Sequence, residues 1–147
     1  MKVFVSSLFL VILSLSELEA GELRRDDKWP PPELLVALKP VGSKCQEQTG
    51  VTNEAIKEFS DGEVHEDRAL KCYMSCLFHE FNVVDDNGDP HFEKIQTHVD
   101  RFDEEIRHIA NKLVAACQNP QGQDKCERAF SIHKCWKTTD PKHYFLA

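Results

Sequence analysis

After residue 20 the sequence has no long apolar run, and it carries fewer basic than acidic residues. Without an apolar stretch of about 20 residues, no stable membrane insertion is expected of residues 21–147. Lysine and arginine number 18 against 25 aspartate and glutamate residues, which gives a formal net charge of −7. Nucleic acids and anionic lipid surfaces bind to basic protein faces. This balance therefore argues against nucleic acid or a membrane as the main partner.

The short motifs of common enzyme families are also missing. The chain contains no Gly-x-Ser-x-Gly, no His-Glu-x-x-His and no phosphate-binding loop. His79 and Glu80 are adjacent, and adjacent residues on a helix do not converge on one substrate. The run Asp103-Glu104-Glu105 is typical of a solvated helix face. We therefore expect no enzyme activity, no catalytic residue and no cofactor.

No metal site is expected either. Zinc sites commonly use closely spaced cysteine pairs, and the sequence has no Cys-x-x-Cys. The segment Asp85–Pro90 resembles a calcium loop only in composition. An EF-hand loop ends with a glutamate six residues after its glycine, whereas Glu93 comes five residues after Gly88. We expect a solvated turn at this position.

Residues 1–20 have the pattern of a secretory signal peptide. Lys2 is followed by an apolar stretch from Val3 to Leu15 and then by small and polar residues, which is the order found in such peptides. Cleavage is expected after Ala20, with Ser16 as the alternative, and leaves residues 21–147 as one domain. The loss of one positive and two negative charges changes the net charge from −7 to −6. We expect a secreted, extracellular protein.

All six cysteines lie in the predicted mature chain, and an even number of cysteines in a secreted protein indicates disulfide bonds. Six cysteines allow fifteen pairings. Cys72 and Cys76 lie on the same face of a predicted helix and should not pair. Cys126 and Cys135 are nine residues apart on another helix, about 13 Å along its axis, which exceeds the reach of a disulfide. These two exclusions leave ten pairings open.

Hydrophobic periodicity predicts an all-α domain, because no strand pattern and no internal repeat is found. Leu70, Tyr73, Met74, Leu77 and Phe81 recur at helical spacing, so a central helix is expected from about His65 to Phe81. The other predicted helices run from Pro31 through Cys45 with a kink or break at Pro40 and Gly42, from Asn53 to Phe59, from His91 to about Val99, from about Arg101 to Cys117, and from Asp124 to about Trp136.

The cysteine spacing Cys-x26-Cys-x3-Cys-x40-Cys-x8-Cys-x8-Cys closely resembles that of the insect odorant-binding proteins, the pheromone- and general-odorant-binding family. The resemblance covers essentially the whole mature chain. Segments such as Lys-Cys-Tyr-Met-Ser-Cys at 71–76 and Asp-Pro-Lys-His-Tyr-Phe-Leu at 140–146 resemble the antennal, pheromone-binding-protein-related branch of flies and mosquitoes. The resemblance implies six helices around a closed apolar cavity. It also implies the disulfides Cys45–Cys76, Cys72–Cys126 and Cys117–Cys135.

The resemblance further implies a function. It is the transport of small hydrophobic odorants or pheromone-like volatiles through the aqueous sensillum lymph to olfactory receptors. Residue type alone favours an ordinary packed core for each apolar candidate, whereas the resemblance favours a cavity wall. The ligand-binding residues expected on this basis are Met74, Leu77, Phe81, Phe92, Ile95, Ala110, Leu113, His133, Trp136, Tyr144, Phe145 and Leu146.

Residues 137–147 form a tail that is too short and irregular for another long helix. Its apolar side chains are expected to fold back as a lid over the cavity. As the resemblance suggests, Tyr73 is the expected hydrogen-bond donor to the terminal carboxylate of Ala147. Protonation of that carboxylate or of nearby histidines would release the lid at acid pH. Relatives that hold the tail in this way tend to carry a basic residue where this chain has Gly42, and Lys44 is the expected substitute.

The sequence leaves two interactions undecided. The protein could form a homodimer, and the ligand-loaded protein could contact an olfactory receptor directly. The alternative to an olfactory carrier is a secreted carrier outside olfaction, or a protein-binding module, on the same fold. An exposed apolar patch in place of a cavity would distinguish the protein-binding module.

Overall fold

The computed structural model describes residues 28–147, which form six α-helices. These are α1 (Pro32–Thr49), α2 (Asn53–Asp61), α3 (Arg68–Glu80), α4 (Phe92–Val99), α5 (Glu104–Ala116) and α6 (Lys125–Thr139). The described residues contain no strand beyond an isolated bridge between Val84 and Pro90, so the predicted all-α class is confirmed. None of these helices is both long and apolar enough to cross a membrane. The predicted signal peptide, residues 1–20, lies outside the described residues.

Side-chain caps set the start of four helices. Each capping residue accepts a hydrogen bond from a backbone N–H two or three positions later, and the caps are Thr52, Asp67, Asp103 and Asp124. A cap satisfies an N–H group that has no partner within the helix. The caps explain why α3 begins at Arg68 and α5 at Glu104, each three residues later than apolar periodicity predicted.

Helix α1 continues through Pro40 as a single helix, so the predicted alternative of two separate pieces is wrong. Its first residue is Pro32. Proline is favourable at this position because the N–H group that it lacks would have no hydrogen-bond partner within the helix. Gly50 ends the helix with a left-handed φ of 70°, and its N–H bonds to the carbonyl of Gln46. At the other end of the chain, α6 extends to Thr139, so the tail is shorter than predicted.

Three disulfides tie the helices to one another. Cys45–Cys76 joins α1 to α3, Cys72–Cys126 joins α3 to α6, and Cys117–Cys135 joins the end of α5 to α6. These are the pairs that the resemblance implies. Helix α3 packs mainly against α6 and α1, and Phe59, Leu70 and Met74 are fully buried in the core around it. The central position expected for this helix is therefore present in the fold.

The segment between α3 and α4 is a tight turn, as predicted. The carboxylate of Asp85 accepts hydrogen bonds from the backbone N–H groups of Asn87 and Asp89, each at 2.9 Å. Gly88 has a φ of 84°, and a Cβ there would lie 3.2 Å from the Cα of Lys125. Glycine therefore allows both the turn and its close approach to α6.

Candidate ligand-binding cavity

A cavity of about 630 Å³ lies between five of the helices and the C-terminal residues, and α2 takes no part in its wall. The wall is almost entirely apolar. A cavity of this size and character can enclose a small organic molecule. Phe92 lines the cavity and is 42% exposed. Ala37 and Arg101 also line the cavity and are exposed.

All but one of the predicted ligand-binding residues lie in this wall. They are Leu77 and Phe81 at the end of α3, Phe92 and Ile95 in α4, Ala110 and Leu113 in α5, His133 and Trp136 in α6, and Tyr144, Phe145 and Leu146 in the tail. Ala147, which was predicted as part of the lid, also lines the cavity. The fold thus brings these residues together, and their role in binding a ligand stays a prediction.

Met74 is the exception, because it lies in the packed core and does not line the cavity. Its side chain is fully buried, with 0% exposure. The cavity lies beside the last turn of α3, where Leu77 and Phe81 contribute to the wall. Met74 lies one turn earlier, where α3 is surrounded by the core cluster that includes Cys45 and Phe59.

Other lining residues were not named from the sequence, although some carried a usable signal. Helical spacing relates Leu34 to Leu38 on α1 and Ile106 to Ile109 on α5, and all four line the cavity. Trp29 also lines the cavity. No periodic signal could have identified Trp29, because it precedes the first helix in a proline-rich stretch.

His133 is a polar side chain buried in the cavity wall and only 5% exposed. Its Nδ1 lies 2.9 Å from the hydroxyl oxygen of Tyr144. Its ring stacks on Phe78 with the two centroids 4.9 Å apart. Burial disfavours the charged imidazolium and lowers the pKa of His133 to about 3. The imidazole is therefore neutral at physiological and at mildly acidic pH.

Two indole rings also contribute to the wall. Trp136 packs edge-on against Phe78, with centroids 5.5 Å apart, and against His133 at 5.1 Å. Trp29 packs edge-on against His143 at 5.3 Å and against Phe145 at 6.4 Å. Within residues 28–147, neither indole Nε1 has a hydrogen-bond partner, and the same holds for Nε2 of His133. The mainly apolar wall therefore carries three buried nitrogen atoms without partners.

The tail folds back onto the helices and is held at several points. The hydroxyl of Tyr73 donates a hydrogen bond to the backbone oxygen of Ala147, which is the contact that the resemblance suggested. The N–H of Leu146 donates to Oγ of Ser60 at 3.0 Å. Burial raises the pKa of Tyr73 to about 12, so its hydroxyl keeps its proton. These contacts hold the side chains of the tail in the cavity wall.

The surroundings of this tail contact differ from those expected. Gly42 is buried beside it, and a Cβ there would lie 3.1 Å from the Tyr73 hydroxyl oxygen and 3.5 Å from the Ala147 oxygen. Nζ of Lys44 instead lies 2.7 Å from Oε2 of Glu80. Lys44 was expected to substitute for the basic residue that relatives carry at the position of Gly42, and this expectation is wrong. Gly42 contributes by letting the backbone of α1 come close.

Asp140 fixes the point where the tail leaves α6. Its carboxylate lies 3.1 Å from Nζ of Lys112 on α5 and 3.0 Å from Nδ1 of His143. Its backbone carbonyl accepts the N–H of Tyr144 at 3.0 Å. Burial alone would raise the pKa of Asp140, but the hydrogen bonds from His143 and Lys112 outweigh burial and hold that pKa below its usual value. The carboxylate is therefore charged and joins the tail to α5.

Comparison with known proteins leads to one family. The model of the PBP/GOBP family matches residues 28–139. General odorant-binding protein 69a of Drosophila melanogaster is 27% identical over 112 residues, which are 76% of this chain and 74% of that protein.

Solved structures agree with this match. Odorant binding protein 4 of Chrysopa pallens is 25% identical, with a TM-score of 0.71 over 78% of this chain and 96% of that chain. An odorant-binding protein of Locusta migratoria is 30% identical, with a TM-score of 0.64 over 74% of this chain and 82% of that chain. These relatives are odorant-binding proteins. With the family model matching most of its length, this chain belongs to the PBP/GOBP family, the insect odorant-binding proteins.

Proposed function

We propose that the protein is a secreted carrier that binds small hydrophobic odorants or pheromone-like volatiles and transports them through sensillum lymph to olfactory receptors. The apolar cavity of about 630 Å³ is the observation that supports this proposal most directly. Burial of apolar ligand surface contributes about 25 cal/mol per Å². The entropic cost of association offsets part of this gain. Dissociation constants of about 1 μM are therefore expected, which correspond to about 8 kcal/mol.

The cavity wall explains which ligands such a carrier would accept. Contacts with aliphatic and aromatic side chains discriminate weakly between similar apolar molecules, because one methylene group changes the binding free energy by about 1–3 kcal/mol. We assign the ligand contacts to the predicted residues that line the cavity and exclude Met74, which lies in the core. In this proposal the ligand enters beside Phe92, a large apolar residue of the wall that is exposed.

The tail acts as a lid in this proposal, and acid opens it. Tyr144 and Leu146 are buried side chains of the tail that line the cavity, so their displacement would uncover a bound ligand. Protonation of the terminal carboxylate expected at Ala147 would weaken its hydrogen bond with Tyr73. His133 does not serve as the trigger near pH 5, because burial lowers its pKa to about 3.

The test is the binding of an apolar fluorophore, N-phenylnaphthylamine, to the oxidised protein of residues 21–147. It is measured near pH 7 and near pH 4, where a terminal carboxylate begins to take up protons, with residues 144–147 present or removed, and is followed by displacement with volatile organic compounds. Saturable binding near pH 7 that acid and truncation weaken supports carrier, lid and acid release. Binding that is unchanged by acid and by the truncation supports the carrier and refutes the lid. No saturable binding refutes the carrier.

The alternative function on the same fold is that of a protein-binding module, which would need a different kind of surface. Such a module would present a contiguous exposed apolar patch. Among the described residues, the large apolar side chains that are exposed are Leu35, Val36 and Phe92, and Phe92 lines the cavity. The cavity therefore favours a carrier over a protein-binding module.

A further inference from the structure

The segment ahead of α1 reaches the ligand cavity through Trp29. This residue precedes the helix and lines the cavity. Prolines occupy positions 30, 31 and 32, and α1 begins at the last of them. Because a proline ring fixes the φ angle of its residue, this link to the helix has little conformational freedom. Trp29 is therefore restricted to a narrow range of positions relative to α1.

Trp29 contacts the C-terminal tail at two aromatic residues. Its indole ring packs edge-on against His143, with centroids 5.3 Å apart, and against Phe145 at 6.4 Å. Aromatic pairs in this arrangement attract each other more strongly than the buried area alone would predict. The Nε1 atom of Trp29 is buried, so this edge of the ring is shielded from solvent. The ring thus joins the segment ahead of α1 to the tail.

The tail residues that alternate with these two are held by the helices instead. Tyr144 and Leu146 are only 3% and 7% exposed. Both form hydrogen bonds with helix residues, Tyr144 with α6 and Leu146 with α2. His143 and Phe145 are half-buried. The tail is therefore held by two separate sets of contacts, and it cannot leave the cavity wall without breaking both.

We propose that Trp29 is a positioning residue for the lid: it holds the C-terminal tail in its closed position, so that the segment ahead of α1 controls how fast the cavity opens. This inference rests on the proposed carrier function and deepens it by naming a restraint on the tail that lies outside α6 and the tail. Because Trp29 is tied to α1 by the prolines, its ring stays in place when the tail moves. Opening of the lid then requires the loss of both ring contacts, and ligand release depends on both ends of the domain.

The first test observes the tail of the ligand-free protein, residues 21–147. Hydrogen exchange is measured at the backbone amides of Tyr144 and Leu146, both of which donate hydrogen bonds in the closed tail. Trp29→Ala should speed the exchange of both amides about three- to tenfold. Trp29→Phe keeps an aromatic ring and should exchange like the wild type. The control Val36→Ala, an exposed position of α1 outside the cavity wall, should also match the wild type.

A double-mutant cycle separates a contact with the tail from a general effect on stability. The effect of Trp29→Ala on tail exchange should be smaller when Phe145 is already replaced by alanine, because one of the two ring contacts is then absent. An effect of equal size in the two backgrounds would overturn the inference. Unchanged exchange of the tail amides in Trp29→Ala would overturn it as well.

The second test measures ligand release. N-phenylnaphthylamine should dissociate about three- to tenfold faster from Trp29→Ala in a stopped-flow experiment, and at the wild-type rate from Trp29→Phe and Val36→Ala. An unchanged dissociation rate in Trp29→Ala would overturn the control of release by Trp29, while the carrier function stands. Failure of the fluorophore to bind the wild type would instead refute the carrier function. The exchange experiment needs no ligand and would still decide whether Trp29 holds the tail.

Discussion

The hydroxyl oxygen of Tyr144 lies 2.9 Å from Nδ1 of His133, so a hydrogen bond between two buried side chains joins the C-terminal tail to α6. Tyr144→Phe removes one partner and leaves Nδ1 of His133 buried and unpaired. We expect a loss of about 1–3 kcal/mol in the free energy of unfolding, measured by denaturant titration.

The double variant His133→Phe/Tyr144→Phe is the control for this prediction. It removes both polar partners, and replacement of both by apolar groups is nearly neutral. The double variant should therefore be more stable than Tyr144→Phe alone. Equal or lower stability of the double variant would show that the hydrogen bond does not explain the loss.

Burial of His133 predicts a pH dependence of stability. Its pKa is about 3 in the folded protein and about 6.5 in an unfolded chain. Because the folded value is depressed, the unfolded state takes up a proton first, and stability falls as the pH decreases from 6.5 toward 3. The wild type should lose about 1.4 kcal/mol per pH unit in this window relative to His133→Phe.

The matched control for this experiment is His108→Gln, on the exposed face of α5. The free energy of unfolding of this variant should match that of the wild type, because His108 is exposed and lies outside the cavity wall. A difference between the wild type and His133→Phe that is constant across the window would contradict the buried neutral imidazole.

The hydrogen bond from Tyr73 to Ala147 predicts the rate at which a ligand leaves. Tyr73→Phe removes a donor that holds the tail over the cavity, so the fluorophore should dissociate about two- to tenfold faster in a stopped-flow experiment. Lys44→Gln is the control, since Lys44 pairs with Glu80 and not with the tail. Identical dissociation rates for Tyr73→Phe and the wild type would mean that this contact does not restrain the tail.

The ion pairs of Asp140 predict a separate effect at lower pH. Asp140→Asn should lower the free energy of unfolding by about 1–3 kcal/mol near neutral pH, because Lys112 and His143 lose a charged acceptor. The pKa of Asp140 is depressed in the folded state, so its contribution is present above about 3.9, the unfolded value. It is lost as the pH falls through the folded value.

The free energies of unfolding of Asp140→Asn and of the wild type should therefore converge only below about pH 3.9, the unfolded pKa. Asp86→Asn, in the exposed turn before α4, serves as the control and should match the wild type throughout. Convergence already near pH 5 would assign the stabilisation to another group.

The contrast between Thr52 and Lys44 shows what the sequence could predict. Local signals identified most elements, because a cap such as Thr52 acts on residues next to it in the chain. The tail contact of Tyr73 with Ala147 was expected from the family resemblance and is present. Lys44 was assigned wrongly, since a positive charge does not show which of several nearby acceptors it meets.

Local sequence patterns also did not show whether an apolar side chain lies in the packed core or in the cavity wall. Met74 and Leu77 belong to the same apolar face of the predicted helix, yet Met74 is in the core and Leu77 lines the cavity. The difference depends on how far along α3 the cavity extends, which is set by the packing of the surrounding helices. Trp29 was missed because it reaches the cavity from outside any helix.

The most direct test of the central claim is to fill the cavity from one residue and to measure fluorophore binding. Ala110 lines the cavity on α5, whereas Ala115 on the same helix is exposed, so Ala110→Trp and Ala115→Trp are a matched pair. If ligands bind in this cavity, Ala110→Trp should weaken fluorophore binding at least about tenfold, while Ala115→Trp should bind like the wild type. Equal affinities for the two folded variants would contradict the cavity as the binding site.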